Sequence, residues 1–170
     1  MNKITIELNN GKKINVDLDE KNAPLSVENF LTYVDEGFFN GTIFHRVIPG
    51  FMIQGGGFTA VENGLNEKTA THPSIKGEFD SNGIKNPIKH VPGTISMART
   101  MFKNSATSQF FICVDDCAYL DGEYAGFGKV SDQESLDVAI EISQVKTHYW
   151  RGYDDIPDTP VVIKSITRVK

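Results

Sequence analysis

The 170-residue sequence predicts a mainly β fold, an antiparallel barrel or sandwich carrying two helices. Three observations predict it. Short apolar or alternating segments recur along the whole chain, helical spacing occurs only twice, and turn residues separate the segments at hairpin distances. The helices do not alternate with the strands, which argues against a parallel sheet.

The elements follow in order. Residues 4–8 (ITIEL) and 14–18 (INVDL) alternate with period two around Asn9-Asn10-Gly11, a hairpin signal. In NAPLSVENFLTYVDEGF, Val27, Phe30, Leu31 and Val34 recur at helical spacing, with Pro24 suited to a first turn and Gly37 to a stop. FHRVIPGFMIQGGGF, residues 44–58, reads as two short strands around Pro49-Gly50. Residues 59–92 show little periodicity and are expected to form a loop, which at that length should have work to do. Strand signals return at 93–98 (GTISMA), 108–114 (SQFFICV) and 126–130 (GFGKV). Leu136, Ala139, Ile140 and Ser143 mark a second helix near 136–142. THYWRGYDDIPDTP is expected as a polar link into the last strand, VVIKSITRV. No repeat or linker divides the chain, so residues 1–170 are expected to be one domain with a real core.

Composition narrows the function classes. A net charge of -5 with scattered basic residues argues against a nucleic-acid partner, which needs a basic footprint. The start MNKITIELNNGKK is polar where a signal peptide needs an apolar stretch, and no segment has the apolar length to span a bilayer. The expectation is a soluble, cytoplasmic protein without membrane association, and a monomer by default. Cys113 and Cys117 lack a second cysteine or histidine pair for zinc, and Cys113 is expected to be a buried apolar residue. None of the four histidines has metal spacing with another. Ser108 lacks the context of a nucleophile elbow. Gly55-Gly56-Gly57 has no following Gly-Lys-Ser/Thr, so it suggests a bulge or a close backbone approach rather than a phosphate loop. Neither a metal nor a cofactor is expected.

Two strands share a telling face. Alternation puts Gln109, Phe111 and Cys113 on one side of SQFFICV, with Phe110 and Ile112 on the other. In FMIQ it pairs Met52 with Gln54, opposite Ile53. The purely apolar faces should form the core, which in a small barrel is filled by side chains. The mixed faces suit a groove for an extended peptide on the outer wall. Arg46, in a half-buried segment, needs a partner there, because a buried unpaired guanidinium is costly. His45, its neighbour, should point to the opposite side and serve a structural or hydrogen-bonding role.

FHRVIPGFMIQGGGF, GTISMARTMFKNSATSQFFI and YLDGEYAGFGKV, in this order and spacing, closely resemble the cyclophilins, the barrel-shaped peptidyl-prolyl cis–trans isomerases. The resemblance spans essentially the whole chain, and MART…NSATSQFF is similar to the bacterial branch. It implies a closed eight-stranded antiparallel β-barrel with two α-helices capping the ends. It also implies rotation about Xaa-Pro bonds in proline-containing peptides and unfolded proteins, assisting their folding. By position, Arg46 and Gln54 match catalytic residues. Phe51, Met52, Phe111 and Leu120 match the pocket for the proline ring, Gln54 and Gln109 the groups that hold the peptide backbone, and Ala98, Arg99 and Thr100 the rim for the residue before proline. Tyr119, Tyr124 and Arg99 stand at substrate-binding positions where many members have tryptophan, histidine and asparagine. Turnover is expected to survive these changes, whereas only weak cyclosporin binding is expected, since cyclosporin uses the missing indole N–H. A non-catalytic peptide-binding module on the same barrel would keep the pocket and lose the arginine; Arg46 is present.

Overall fold

The first hairpin joins β1 (Asn2–Leu8) to β2 (Lys13–Leu18) as expected, with Ile4 opposite Val16 and Ile6 opposite Ile14. The computed structural model describes residues 2–62 and 64–170. Helix α1 (Pro24–Asp35) follows and stops as anticipated, with Gly37 at φ +69°, a left-handed conformation that glycine adopts without strain. Its first turn has no local side-chain cap. Glu78, 2% exposed, fills that role from a distance: its carboxylate accepts hydrogen bonds from Leu25 N (3.2 Å), Ser26 N (2.6 Å) and Ser26 Oγ (2.7 Å). A carboxylate is favoured there by the free N–H groups and the positive end of the helix dipole.

β3 (Phe44–Ile48) and β4 (Met52–Gly55) meet at Pro49-Gly50, where Phe51 N donates to Ile48 O (3.1 Å) and Gly50 has φ +73°, the geometry of a type II turn. β5 (Phe58–Val61) and β6 (Gly64–Glu67) pair with each other alone. β7 (Thr94–Met97), β8 (Phe110–Cys113) and β9 (Gly126–Val130) return to the main sheet. Helix α2 (Gln133–Ser143) starts three residues before the periodic run, because Asp132 caps it by accepting from Ser135 N at 2.7 Å. β10 (Thr147–Trp150) and β11 (Tyr153–Pro157) form another isolated hairpin, and β12 (Ile163–Arg168) ends the fold.

The main sheet is antiparallel, in the order β12-β1-β2-β9-β7-β8-β4-β3. Closure is looser than expected. The ladder has two ends, and the edges β12 and β3 meet at their first residues and the segments just before them, by an isolated Ile43–Val162 bridge and backbone bonds such as Ile163 N to Thr42 O (2.8 Å). The sheet is a curled half-barrel rather than a continuously hydrogen-bonded cylinder.

The core lies inside the curl. Ile53, Phe110 and Ile112 join it as alternation predicts, and both helices add to it, α1 through Val27, Phe30, Leu31 and Val34 and α2 through Ala139 and Ile142. Phe30 is its hub, with ring centroids 5.5 Å from Phe110 and 5.2 Å from Phe127. Met52, Phe111, Cys113 and Cys117 are excluded from it and form their own buried cluster on the outer wall.

Two expectations need correction. The region 59–92 opens with β5 and β6, and Asn63, between them, lies outside the described residues. The supposed polar link is a hairpin whose turn residues Arg151 (φ +45°) and Gly152 (φ +90°) are both left-handed. The two hairpins share a small core of Phe58, Leu65 and Ile156 with Trp150 against it. The Trp150 indole lies so close to Gly64 that a Cβ there would meet it at 2.3 Å. Among the described residues no helix is long and apolar enough to cross a membrane.

Candidate active site

Strand register lines up the outer-wall residues. Arg46 on β3 is opposite Gln54 on β4, Gln54 is opposite Phe111 on β8, and Phe111 is opposite Ser96 on β7. One row therefore crosses four strands. The next row holds Ile48, Met52 and Cys113. Between these rows and the loops over them lies a pocket of about 110 Å³, lined by Arg46, Phe51, Met52, Gln54, Ala98, Arg99, Phe111, Leu120 and Tyr124. Of the twelve residues singled out from sequence, these nine come together. Gln109 reaches the pocket indirectly, accepting from Gln54 Nε2 at 3.0 Å. Thr100 is exposed and spends its hydroxyl on Ser105 Oγ (2.9 Å). Tyr119 is 68% exposed, its ring 5.9 Å from Phe51, outside the pocket lining.

Arg46 is half-buried and forms no ion pair with any described residue. Its Nη1 donates to Gln54 Oε1 at 3.4 Å, a long bond that orients the guanidinium without neutralising it. Gln54 is held in turn by Gln109, whose side chain lies against Gly57; a Cβ on Gly57 would stand 2.5 Å from it. The triple-glycine stretch thus serves the close backbone approach anticipated for it. A line of amides runs from glycine backbone to cation.

Arg99, the second cation, is clamped. Its Nε (3.2 Å) and Nη2 (2.6 Å) donate to Glu123 O, its Nη1 donates to Thr100 O (3.0 Å), and its guanidinium lies over the rings of Phe79 (4.8 Å) and Tyr124 (4.5 Å). Such stacking suits a planar, weakly hydrated cation. The clamp fixes the pocket's edge.

His45 departs from simple alternation. The register shifts between Phe44 and Arg46, so a bulge inserts one extra residue there. Phe44 and Val47 face the main core, while His45 is buried against Phe58 (centroids 4.4 Å) in the neighbouring small cluster. The ring lies outside the Arg46 pocket lining, and the bulge takes it into this small cluster rather than the main core. Its Nδ1 has no hydrogen-bond partner among the described residues. Burial, and secondarily the Arg46 charge, push its pKa down to about 4, so the ring is neutral.

Sequence reasoning did not find His90. It is 1% exposed, stacks on Phe111 (6.0 Å, 19°), and bonds Asp121 Oδ1 through Nδ1 (2.9 Å) and Ser96 Oγ through Nε2 (2.9 Å). Burial holds its pKa below the ordinary value against the opposing pull of Asp121. It backs the pocket floor from within the aperiodic region, where no sequence signal marks it. Burial likewise raises the thiol pKa of Cys113 and Cys117, as expected of packing residues behind Met52.

Comparisons with known proteins agree with this architecture. A family model described as cyclophilin type peptidyl-prolyl cis-trans isomerase/CLD matches residues 3–168. The chain is 52% identical to peptidyl-prolyl cis-trans isomerase A of Dickeya dadantii over 162 residues, covering 92% of this chain and 80% of that one. It is 44% identical to peptidyl-prolyl cis-trans isomerase B of Escherichia coli, covering 96% and 98%. Among solved structures, a Cryptosporidium parvum cyclophilin type peptidyl-prolyl cis-trans isomerase, crystallised in the presence of the dipeptide Ala-Pro, superposes with a TM-score of 0.79 at 28% identity, covering 99% of both chains. A half-barrel with an arginine at the lip of an outer-wall pocket, matched along nearly its full length, has one assignment: the chain belongs to the cyclophilin-type peptidyl-prolyl cis–trans isomerase family.

Proposed function

We propose that Arg46 is the group through which this isomerase accelerates rotation about Xaa-Pro bonds, and that the pocket beside it receives the proline ring. The observation that carries the reading is a half-buried guanidinium without a carboxylate partner among the described residues, lining the same small pocket as Phe111 and Met52. Amide resonance sets a barrier of roughly 18–20 kcal/mol, and uncatalysed prolyl isomerisation takes roughly tens to hundreds of seconds. Millisecond turnover needs about 10⁵-fold, or roughly 7 kcal/mol. No bond breaks, so the work is differential binding of the twisted state.

In that state conjugation is lost and the prolyl nitrogen regains its lone pair. An N–H of Arg46 donated to that lone pair stabilises the twisted geometry above either planar one. Phe51, Met52, Phe111 and Leu120 hold the ring and lower the local dielectric, which strengthens the bond. Gln54 and Gln109 position the guanidinium and offer hydrogen bonds to the substrate backbone, with Ala98, Arg99, Thr100, Tyr119 and Tyr124 around the rim. The reading takes proline-containing segments of unfolded or flexible polypeptides as substrates. It includes residues 1–170 as a single domain, a monomer as the working unit, a cytoplasmic location, no nucleic-acid partner and weak cyclosporin binding. The test is NMR exchange spectroscopy on a short Xaa-Pro peptide. Catalytic protein should produce cis–trans exchange cross-peaks; their absence in folded protein would defeat the proposal.

A further inference from the structure

The loop between β7 and β8 displays two side chains that the pocket does not use. Met101 is 86% exposed and Phe102 71%, more than any other large apolar residue described. The backbone beneath them is pinned. Ser105 Oγ accepts from Thr100 N (3.0 Å) and Thr100 Oγ1 (2.9 Å) and donates to Phe102 O (2.6 Å), while Phe102 N donates to Thr100 Oγ1 (3.2 Å). Asn104 Oδ1 accepts from Gly77 N (3.0 Å) and Asn82 Nδ2 (2.8 Å), and Lys103 Nζ donates to Ser81 O (2.7 Å). The loop is therefore a preorganised mount, so contacts made on it carry little further ordering cost.

The mount is continuous with the pocket. Ala98 and Arg99 line it, and Phe102 follows three peptide units later, at most about 11 Å along the chain. An extended peptide rising about 3.3 Å per residue crosses that distance in three to four residues. A methionine and a phenylalanine, the aromatic ring alone offering roughly 150–250 Å², are too few for a stable protein partner or a second copy, which needs about 800 Å² per side. They suit one large side chain of a chain already anchored nearby.

We propose that Met101 and Phe102 form an auxiliary apolar contact for the substrate polypeptide, engaging a large apolar residue within about four positions of the proline. The inference rests on the pocket assignment given under Proposed function. It makes the two residues determinants of specificity, not of the chemical step. Contact equal in ground and twisted states lowers KM and leaves kcat unchanged.

The test uses single-proline octapeptides carrying Leu or Ser at the third position from the proline, on each side in turn, with a plain Ala-rich tetrapeptide as reference. On one side Leu should raise kcat/KM roughly fivefold through KM, as half-burial of such a side chain implies. In the double variant Met101→Ser/Phe102→Ser that ratio should fall to about one. Equal Leu and Ser rates on both sides in the native protein, or a preference that survives in the double variant, would overturn the inference. Arg46→Ala on the tetrapeptide separates the two readings. If it lowers the rate, a missing Leu preference defeats this inference alone; if it does not, the pocket assignment fails and the inference with it.

Discussion

Lowering the pH from 7.5 to 5 should destabilise this protein through His45. The buried ring has a pKa of about 4, its Nδ1 has no partner among the described residues, and the Arg46 charge adds to the effect of burial. An unfolded-chain histidine titrates near 6.5. Between these values the unfolded state binds the extra proton, so stability is complete above about pH 6.5 and is lost as pH falls toward 4. The full difference of about 2.5 pKa units corresponds to roughly 3 kcal/mol, of which about 2 kcal/mol is gone at pH 5. Urea unfolding of the native protein and of His45→Phe, measured side by side, isolates this contribution, because His90 and the carboxylates are common to both. The native midpoint should fall relative to the variant across this window. Parallel pH profiles for the two proteins would refute the burial argument. Arg46→Ala should also raise the His45 pKa, since it removes one of the two causes that lower it.

Glu78→Ala strips the distant cap from α1 and leaves the Leu25 N–H and the buried Ser26 N–H unpaired, so chemical denaturation should show a loss of about 2–3 kcal/mol. Gly57→Ala drives a methyl into the Gln109 side chain and breaks its bond to Gln54. The fold should survive by circular dichroism while kcat/KM falls roughly three- to tenfold, the worth of one hydrogen bond. Tyr119→Trp restores an indole N–H at an exposed position; calorimetry should register cyclosporin affinity higher by about fivefold or more, as one added hydrogen bond allows.

The legible parts of the fold were those written in short-range pattern. Alternation in FMIQ and SQFFICV separated Ile53, Phe110 and Ile112 from Met52, Gln54 and Phe111, and the structure divides them into core and outer wall along that line. Arg46 was legible as a guanidinium in need of a purpose. The small cluster that takes His45 was not legible, because alternation counts residues and a bulge adds one. β5 and β6 were missed because FTAV and GLNE are four-residue strands without a buried stripe of their own. β10 and β11 were hidden because an arginine occupies the left-handed turn position usually taken by asparagine or aspartate. Glu78 and His90 were out of reach for another reason. Ser26, which Glu78 caps, and Asp121, which bonds His90, are distant in sequence, and no local window joins them.

The central claim is that the Arg46 guanidinium acts on the twisted peptide bond, and the steady-state kinetics of Arg46→Ala on a short Xaa-Pro peptide test it most directly. Folded variant protein should lose at least about tenfold in kcat/KM, chiefly in kcat, equivalent to some 1.4 kcal/mol of transition-state stabilisation. Native kinetics in a properly folded Arg46→Ala protein would contradict it.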